Sequence, residues 1–323
     1  MFSVVIPLYN KAGYVEKAIR SVLDQTFTKF ELIVVNDGST DDGIGKVSSF
    51  TDKRIKLIDQ PNKGVSVARN KGAEYAQFGY IAFLDADDWW HPSFLEDITS
   101  LVTQYPDANL YGSNYYYVKR GKLTVEYKGL PNDFEAGYID YFSMYAQSFC
   151  VPINCSFVVV SRKAFWQVGG FRSQLRMGED FDLWARLALL GKVAYLNKPL
   201  AYSNQDADPA NRAIGFLHLH QPAHHVIFNL QHLKQAEQAS AILRQLLDGL
   251  RVRSLLSYHL SGQYDEAVST VLNQVDFRLQ PRSYRLLYYA PRLLVRIYMK
   301  FRQYGSRMKQ MLSVTTSSQT PVT

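Results

Sequence analysis

Short runs of apolar residues alternate with amphipathic stretches through the N-terminal part of the chain. The apolar runs predict buried strands at 3–8, 30–35, 55–58 and 80–84. Between them, apolar residues recur at helical spacing, as they do from Val15 to Leu23 and from Val65 to Ala76. Because strands alternate with helices at this spacing, the sequence predicts an α/β fold in which helices cover both faces of a parallel sheet.

The pattern changes after the fourth strand. It predicts helices at 92–104, at 163–168 and from Gly178 onward, a hairpin or strand pair at 109–128, and strands at 157–160 and 193–196. Residues 129–150 show no clear period, and beyond about residue 215 the pattern is helical. We therefore expect an α/β domain over 1–214 and a helical extension over 215–323, with a disordered end from about residue 313.

Charge is distributed unevenly along the chain. The sequence carries 36 Lys and Arg against 29 Asp and Glu, a net charge of +7. Residues 277–312 contain nine basic residues and no acidic one, so the remainder is nearly neutral. Since apolar residues are interspersed with these cations, the tail predicts an amphipathic segment on an anionic membrane surface, with a basic helical cap as the alternative. No nucleic-acid partner is expected, because no recognised binding module accompanies the charge.

Other bulk features favour an ordinary globular protein inside the cell. Of the 323 residues, 47% are apolar and 20% are charged. The two cysteines, Cys150 and Cys155, form neither a disulfide framework nor a zinc-ligand spacing. The N-terminus has no signal-peptide pattern, and no apolar run reaches the ~18 residues that a membrane span needs. We expect a cytoplasmic protein with a peripheral position on the inner face of the cell membrane.

The most informative stretch runs from Tyr80 to Trp90, where three carboxylates follow a buried strand. Ligands of open α/β folds bind at the carboxyl ends of the strands. Asp85 and Asp87 are two residues apart, so an extended backbone would point both side chains the same way. Two convergent carboxylates repel each other but become favourable around a hard cation. The stretch therefore predicts a cation site, with an acidic turn as the alternative.

Four further residues carry candidate chemistry. Asp37 follows the second strand, where an acid can hydrogen-bond a ribose or a base; a plain Asp-Gly turn is the alternative. Arg69 lies near a helix start and suits a phosphate or a surface ion pair. Glu179 and Asp180 begin a helix, where the helix dipole stabilises acidic side chains. Alternatively, an acid in a partly apolar cleft can act as a general base. Dinucleotide-fingerprint and Walker-type motifs are absent from the sequence.

Five segments together resemble a known family. They are Val-Val-Ile-Pro-Leu-Tyr-Asn-Lys (4–11), Ile-Val-Val-Asn-Asp-Gly-Ser-Thr-Asp (33–41), Asn-Lys-Gly-Val-Ser-Val-Ala-Arg-Asn (62–70), Phe-Leu-Asp-Ala-Asp-Asp (83–88) and Gly-Glu-Asp-Phe-Asp-Leu-Trp (178–184). In this order they resemble the family 2 glycosyltransferases of GT-A fold. The resemblance implies a Rossmann-like, mostly parallel central sheet with helices on both faces, and a nucleotide-sugar half (1–104) that precedes an acceptor half (105–214).

The resemblance also implies roles for residues on the donor side. Pro7, Tyr9 and Asp37 would line the base and ribose of a nucleoside-diphosphate sugar, with Tyr9 stacking on the base. Arg69 would help to hold the nucleotide, and Asp85 would face the ribose or a metal ion.

The remaining roles concern the metal and the reaction. Asp85 and Asp87 match the family's D-x-D motif, in which Asp87 would bind a divalent cation, Mn²⁺ or Mg²⁺, that bridges the diphosphate. Asp180, paired with Glu179, would be the catalytic base of an inverting displacement. The chain departs from the family at 203–208, where many members carry Arg and His.

On the acceptor side the resemblance implies contacts from Asn154, Ser156 and Trp184. We therefore predict an inverting glycosyltransferase that moves a sugar to a hydroxyl of a glycan or a lipid-linked acceptor in cell-surface polysaccharide synthesis. One alternative is a catalytically silent relative that binds nucleotide-sugar and acts as a membrane-associated interaction protein. A second is a sugar-1-phosphate nucleotidyltransferase, which should show a Gly-rich phosphate loop with Arg and Lys where this chain has residues 9–13.

Overall fold

The computed structural model describes residues 1–126, 128–207, 219–299 and 301. It divides into two compact units, Met1–Leu246 and Leu247–Thr323. The predicted domain boundary between residues 214 and 215 and the predicted disordered end from residue 313 lie outside the described residues, and they stay predictions.

The first unit is built on one ten-stranded sheet. Its strands are β1 (Phe2–Leu8), β2 (Phe30–Asp37), β3 (Ile55–Gln60), β4 (Tyr80–Phe83), β5 (Trp89–Trp90), β6 (Ala108–Lys119), β7 (Lys122–Thr124), β8 (Ala136–Ile139), β9 (Val158–Ser161) and β10 (Lys192–Asn204). The order across the sheet is β3-β2-β1-β4-β9-β6-β10-β5, with β7 paired to β6 and β8 to β10.

Helices flank this sheet along the chain. Those of the first unit are α1 (Val15–Leu23), α2 (Gly43–Ser48), α3 (Val65–Tyr75), α4 (Phe94–Gln104), α5 (Tyr141–Ser148), α6 (Arg162–Gln167), α7 (Glu179–Leu190) and α8 (Lys234–Ala239). Every residue of β1 is buried, as expected for a strand covered on both faces. The inward stripe of α1 consists of Val15, Ala18, Ile19 and Val22, which keeps the spacing that the sequence predicts.

The sheet has two parts that differ in strand direction. β3, β2, β1 and β4 are parallel neighbours, so their carboxyl ends meet at one edge. β9 then runs antiparallel between β4 and β6. β10 pairs in parallel with β6 and antiparallel with β8 and β5. The predicted α/β fold is confirmed, whereas β8, α5 and most of the length of β10 were not predicted.

Helices are the regular secondary structure of the second unit over its described residues. The division between the units falls within α9 (Ala241–Ser261). α10 (Asp265–Leu272), a 3₁₀ turn at Phe277–Leu279, α11 (Arg282–Tyr289) and a helix over 292–299 follow. The helical extension expected from the sequence is therefore confirmed. Over the part of the chain that the structure describes, no helix is both long and apolar enough to cross a membrane.

Candidate active site

The acidic stretch after β4 forms a tight turn. The backbone N–H of Asp88 donates to the carbonyl of Asp85 at 3.0 Å, so residues 85–88 close a β-turn. The prediction that an extended backbone points Asp85 and Asp87 the same way is therefore wrong. Asp85 accepts a hydrogen bond from Arg69 at 2.6 Å, whereas Asp87 pairs with Lys11 at 2.7 Å.

Arg69 connects the turn to the start of α7. Its guanidinium is buried and contacts Asp85 on one side and Glu179, at 2.9 Å, on the other. The guanidinium carbon lies 5.3 Å from the centre of the Phe171 ring. Its Nε–H has no acceptor among the residues that the structure describes. A single buried cation thus joins two acids that are far apart in the sequence.

Asp180 is the acid beside this bridge. Burial and then the charge of Glu179 raise the pKa of the Asp180 carboxyl to about 7, despite a hydrogen bond from the Phe181 N–H at 2.7 Å. A carboxyl with a pKa near neutrality can accept a proton at physiological pH. The three-residue run Glu179-Asp180-Phe181 therefore places one paired acid and one proton acceptor at the same helix start.

The backbone before α7 requires a glycine. Gly178 has a φ of +75°, in the left-handed region, and a Cβ there would come 2.3 Å from the Cγ1 atom of Val226. A larger residue would shift the start of α7, and with it Glu179 and Asp180. This explains why a glycine precedes the acidic pair.

Asp88 is a buried acid that the sequence analysis did not single out. It accepts a hydrogen bond from the Asn204 N–H at 2.7 Å, which ties the acidic turn to the end of β10. Burial, followed by the charges of Asp87 and Asp85, raises the pKa of the Asp88 carboxyl well above its usual range. The consecutive acids at 87 and 88 were the only signal in the sequence.

The acidic turn suits a divalent cation that also has ligands from a substrate. In the described ranges no three His, Cys, Asp or Glu residues gather into a group that could hold a metal ion. Mg²⁺ is commonly held by one or two carboxylates together with substrate phosphates, so a complete protein cage is unnecessary. The partly exposed carboxylates of Asp85 and Asp87 fit such a site. Lys11, which has no predicted role, supplies the positive charge next to Asp87 in this structure.

The other predicted donor-side residues lie at the same edge of the sheet. Pro7 is buried near the end of β1, and Tyr9, just beyond it, is 44% exposed. Asp37, at the end of β2, accepts hydrogen bonds from the N–H groups of Lys63 and Gly64 and from the Gln60 side chain, each at 2.8 Å. These bonds hold the loop before α3, and a nucleotide contact from Asp37 stays a prediction.

Two of the three predicted acceptor contacts need correction. Trp184 is fully buried and packs against Phe171 at 6.0 Å between ring centres, because it lies on the inner side of α7. Ser156 is also fully buried, and its hydroxyl accepts the Asp85 N–H at 3.2 Å. Trp184 is therefore a core residue and Ser156 a support of the acidic turn. Asn154 is half-buried and accepts the Ser156 N–H at 2.8 Å.

Comparison with known proteins identifies the family. The sequence pattern of the family described as glycosyl transferase family 2 matches residues 3–169, more than half of the chain. The chain belongs to this family. The match includes the acidic turn, Arg69 and Lys11, but it ends before Glu179 and Asp180. The contact of this acidic pair with the matched region comes from the structure, in which Glu179 pairs with Arg69.

Several curated proteins are similar to this family 2 chain. Glycosyltransferase GlyA of Streptococcus pneumoniae serotype 4 is 32% identical over 206 residues, which cover 61% of this chain and 30% of that protein. UDP-Glc:alpha-D-GlcNAc-diphosphoundecaprenol beta-1,3-glucosyltransferase WfgD of Escherichia coli is 36% identical over 128 residues, 39% of this chain and 50% of that protein. Hyaluronan synthase of Pasteurella multocida is 27% identical over 248 residues, 71% of this chain and 23% of that protein. The matches therefore span at most half the length of these relatives.

A solved structure shares the fold. The crystal structure of S. aureus TarS 1-349 in complex with UDP-GlcNAc matches with a TM-score of 0.65 at 18% identity, covering 93% of this chain and 91% of that chain. The likeness supports the α/β architecture of GT-A type with C-terminal helices. At this identity it concerns the fold alone.

Proposed function

We propose that this chain is an inverting glycosyltransferase that moves a sugar from a nucleoside-diphosphate sugar to a hydroxyl of a glycan or lipid-linked acceptor. Membership of family 2 supports sugar transfer. The names of relatives, among them WfgD and the hyaluronan and chondroitin synthases of Pasteurella multocida, support a role in cell-surface polysaccharide synthesis. TarS, which shares the fold, was solved with UDP-GlcNAc and with UDP, and this supports a nucleotide-sugar donor.

The observation that carries the proposal is the raised pKa of Asp180 beside the Arg69 bridge. With a pKa of about 7, the Asp180 carboxylate can take the proton of an acceptor hydroxyl as that oxygen attacks the anomeric carbon. The bond from this carbon to the diphosphate oxygen breaks on the opposite face, so the nucleoside diphosphate leaves and the configuration inverts. One displacement with one base requires no protein nucleophile.

The charged side chains around Arg69 act on the donor side of the proposed site. Asp85 and Glu179 flank the guanidinium, so Arg69 orients both acids and holds the turn next to the start of α7. Asp87 and Asp85 would hold a divalent cation, Mn²⁺ or Mg²⁺, whose charge would neutralise the leaving diphosphate when bound. The Ser156 hydroxyl accepts the backbone N–H of Asp85 and so supports the acidic turn.

Substitution of the base tests the proposal directly. Asp180→Asn keeps the shape of the side chain but cannot accept the proton, so turnover should fall by about 10²–10⁴-fold while donor binding is retained. Turnover is measured as release of nucleoside diphosphate in the presence of acceptor, and donor binding by the shift in melting temperature. Unchanged turnover would exclude Asp180 as the base.

The donor class can be found with the same melting assay. UDP-, GDP-, CMP- and dTDP-sugars are each added with and without Mn²⁺, because a ligand that binds only the folded state raises the melting temperature by an amount that grows with the ratio of its concentration to its Kd. We expect a metal-dependent shift with one nucleotide, which Asp87→Ala abolishes. Donor binding without turnover by the wild type would instead favour a silent nucleotide-sugar-binding relative.

A lipid-linked acceptor would be held in a membrane. We therefore propose that the enzyme works in the cytoplasm at the inner face of the cell membrane, reached from the aqueous side. A surface of this chain that binds anionic lipid would be expected to accompany such an acceptor.

A further inference from the structure

Two consecutive helices of the second compact unit present apolar side chains to solvent. They are α11 and the helix over 292–299. We call this surface the outer face; its apolar members are Leu286, Tyr289, Leu293, Leu294, Ile297, Tyr298 and Phe301. Exposure reaches 70% at Leu286 and 73% at Tyr289. Single apolar residues scattered over a surface need no explanation, but seven large exposed apolar side chains on two consecutive helices indicate an interaction site.

The opposite side of both helices is fixed within the unit. The Tyr288 hydroxyl donates to the Val252 carbonyl at 2.8 Å, which anchors α11 on α9. Arg292 forms two hydrogen bonds with Asp265, at 2.9 and 3.0 Å, and Val295 is buried. The packing therefore sets which side of each helix faces out, and the apolar exposure is not the result of an unpacked segment.

The outer face of α11 carries cations as well as apolar groups. Arg282, Arg285, Leu286 and Tyr289 are spaced at i, i+3, i+4 and i+7, so they lie on one side of the helix. All four are exposed. Neither Arg282 nor Arg285 forms an ion pair within the part of the chain that the structure describes. Their charge is consequently available to a partner.

The sequence around these helices is also basic. Residues 277–312 contain nine basic residues and no acidic one. On the next helix, Leu293 and Ile297 are one turn apart and point outward, while Arg296 lies beside them and donates to the Leu260 carbonyl. Cations bordering an exposed apolar strip are the features of a helix that lies in a membrane interface, where apolar side chains enter the lipid and cations meet the headgroups.

We propose that the outer face binds an anionic membrane surface. The proposal extends the proposed function, because it assigns to named residues the membrane at which a lipid-linked acceptor would be held. It does not depend on the sugar-transfer chemistry. The outer face lies entirely within the second unit, whereas the acidic turn and Asp180 lie in the first.

The charged and apolar groups of the outer face favour an anionic lipid surface over a second copy of the chain or a nucleic acid. A symmetric interface between two copies would bury the same surface of each copy, so it would gather Arg282 and Arg285 of both copies, four cations, into one interface. Like charges at such an interface oppose association. Nucleic acid would use the cations, but the leucines and the isoleucine offer bases neither hydrogen bonds nor aromatic stacking planes. An anionic lipid surface uses both the cations and the aliphatic groups.

Vesicle cosedimentation with the full chain tests the proposal. We expect binding to vesicles of phosphatidylglycerol and phosphatidylcholine, and little binding to phosphatidylcholine alone. The double variant Leu293→Ser/Ile297→Ser should weaken binding about tenfold or more, because it removes apolar groups that enter the lipid. Arg282→Gln/Arg285→Gln should also weaken binding and should reduce its dependence on salt.

A matched control uses exposed leucines of the first unit. Leu123→Ser/Leu189→Ser removes two side chains with exposures of 51% and 46%, and vesicle binding should stay unchanged. Melting temperature with and without donor is recorded for every variant, so a failure of donor binding is seen separately from a failure of vesicle binding.

Three results would overturn the proposal. The first is no binding to either kind of vesicle, and the second is equal binding to both kinds. The third is a self-associated species in solution that Leu293→Ser/Ile297→Ser dissociates. The last result would assign the outer face to a second copy of the chain.

Discussion

Two acidic pairs meet at Arg69, and they differ in how their charges are compensated. In the turn after β4, Asp85 pairs with Arg69 and Asp87 pairs with Lys11. At the start of α7, Glu179 pairs with Arg69, but Asp180 forms no ion pair among the described residues. The sequence spacing of the two pairs is similarly tight, so the difference comes from the cations that the fold brings to each.

This difference separates two chemical roles. An ion pair favours the charged form of a carboxyl, which suits a group that binds a cation or orients a neighbour. Burial without such a partner favours the protonated form, and the pKa of Asp180 is accordingly raised to about 7. One cluster can therefore hold charge on the donor side and exchange a proton on the acceptor side.

Removing the shared cation should have the largest effect. Arg69→Met leaves Asp85 and Glu179 without their buried partner, and breaking a buried pair in this way costs about 3–5 kcal/mol. We expect that loss in the free energy of unfolding from urea denaturation. The control is Arg54→Met, which breaks the half-exposed pair with Asp52 and should cost at most about 1 kcal/mol. Equal losses in the two variants would show that the bridge is no more important than a surface pair.

The second prediction concerns the pH dependence of transfer. Only the carboxylate form of Asp180 accepts a proton, so kcat/KM should rise with pH and level off above the pKa of about 7. Below that pH the carboxylate fraction, and with it kcat/KM, falls about tenfold for each pH unit. The residual activity of Asp180→Asn should not show this rise of kcat/KM with pH. A wild-type profile that is flat between pH 5 and 8 would contradict the assignment.

The parallel half of the sheet was predictable because its signals are local. Continuous apolar runs such as β1 and β2 and the stripe of α1 follow from side-chain periodicity, and the strand ends then bring Asp37 and Asp85 to one edge. The antiparallel half was harder. β10 runs from Lys192 to Asn204 and takes its partners from three other strands, so its length depends on pairing that no local pattern reports.

The candidate site was predictable in its residue types but not in its contacts. The motifs identified Arg69, Asp85 and Asp180, yet the bridge from Arg69 to Glu179 joins residues 110 positions apart. Trp184 was misplaced because a tryptophan on an amphipathic helix can face either the core or a ligand, and only packing decides. Asp88 was missed because nothing in an Asp-Asp pair tells which member is buried.

The third prediction concerns the effect of the Asp180 carboxyl on the stability of the fold. The pKa of Asp180 is about 7 in the folded chain, above the value of about 4 in an unfolded one. The folded state therefore binds more protons between these pH values, and the stability contributed by Asp180 decreases as pH rises through that window. Asparagine carries no charge, so Asp180→Asn should stabilise the fold at pH 8 by up to about 4 kcal/mol, the equivalent of a three-unit difference in pKa.

This gain should fade toward pH 4, because the Asp180 carboxyl of the folded chain is then protonated and as neutral as asparagine. The measurement is the melting temperature of wild type and Asp180→Asn over this pH range. Glu96→Gln, an exposed acid near the start of α4, is the control and should show no such trend. A variant that is less stable than the wild type at pH 8 would mean that the charged Asp180 is compensated in the folded chain.

The smallest effect concerns Lys11, which compensates Asp87 in the other acidic pair. The Lys11 ammonium lies 2.7 Å from the carboxylate that would bind a divalent cation, so the two cations compete for it. Lys11→Met should therefore raise the affinity for Mn²⁺ in the absence of nucleotide, by up to about fivefold for a pair worth up to about 1 kcal/mol. Titration calorimetry with Mn²⁺ alone measures this, and Lys46→Met, which breaks the exposed pair with Glu16, is the control. Weaker Mn²⁺ binding by Lys11→Met would mean that the lysine organises the turn for the metal instead of competing with it.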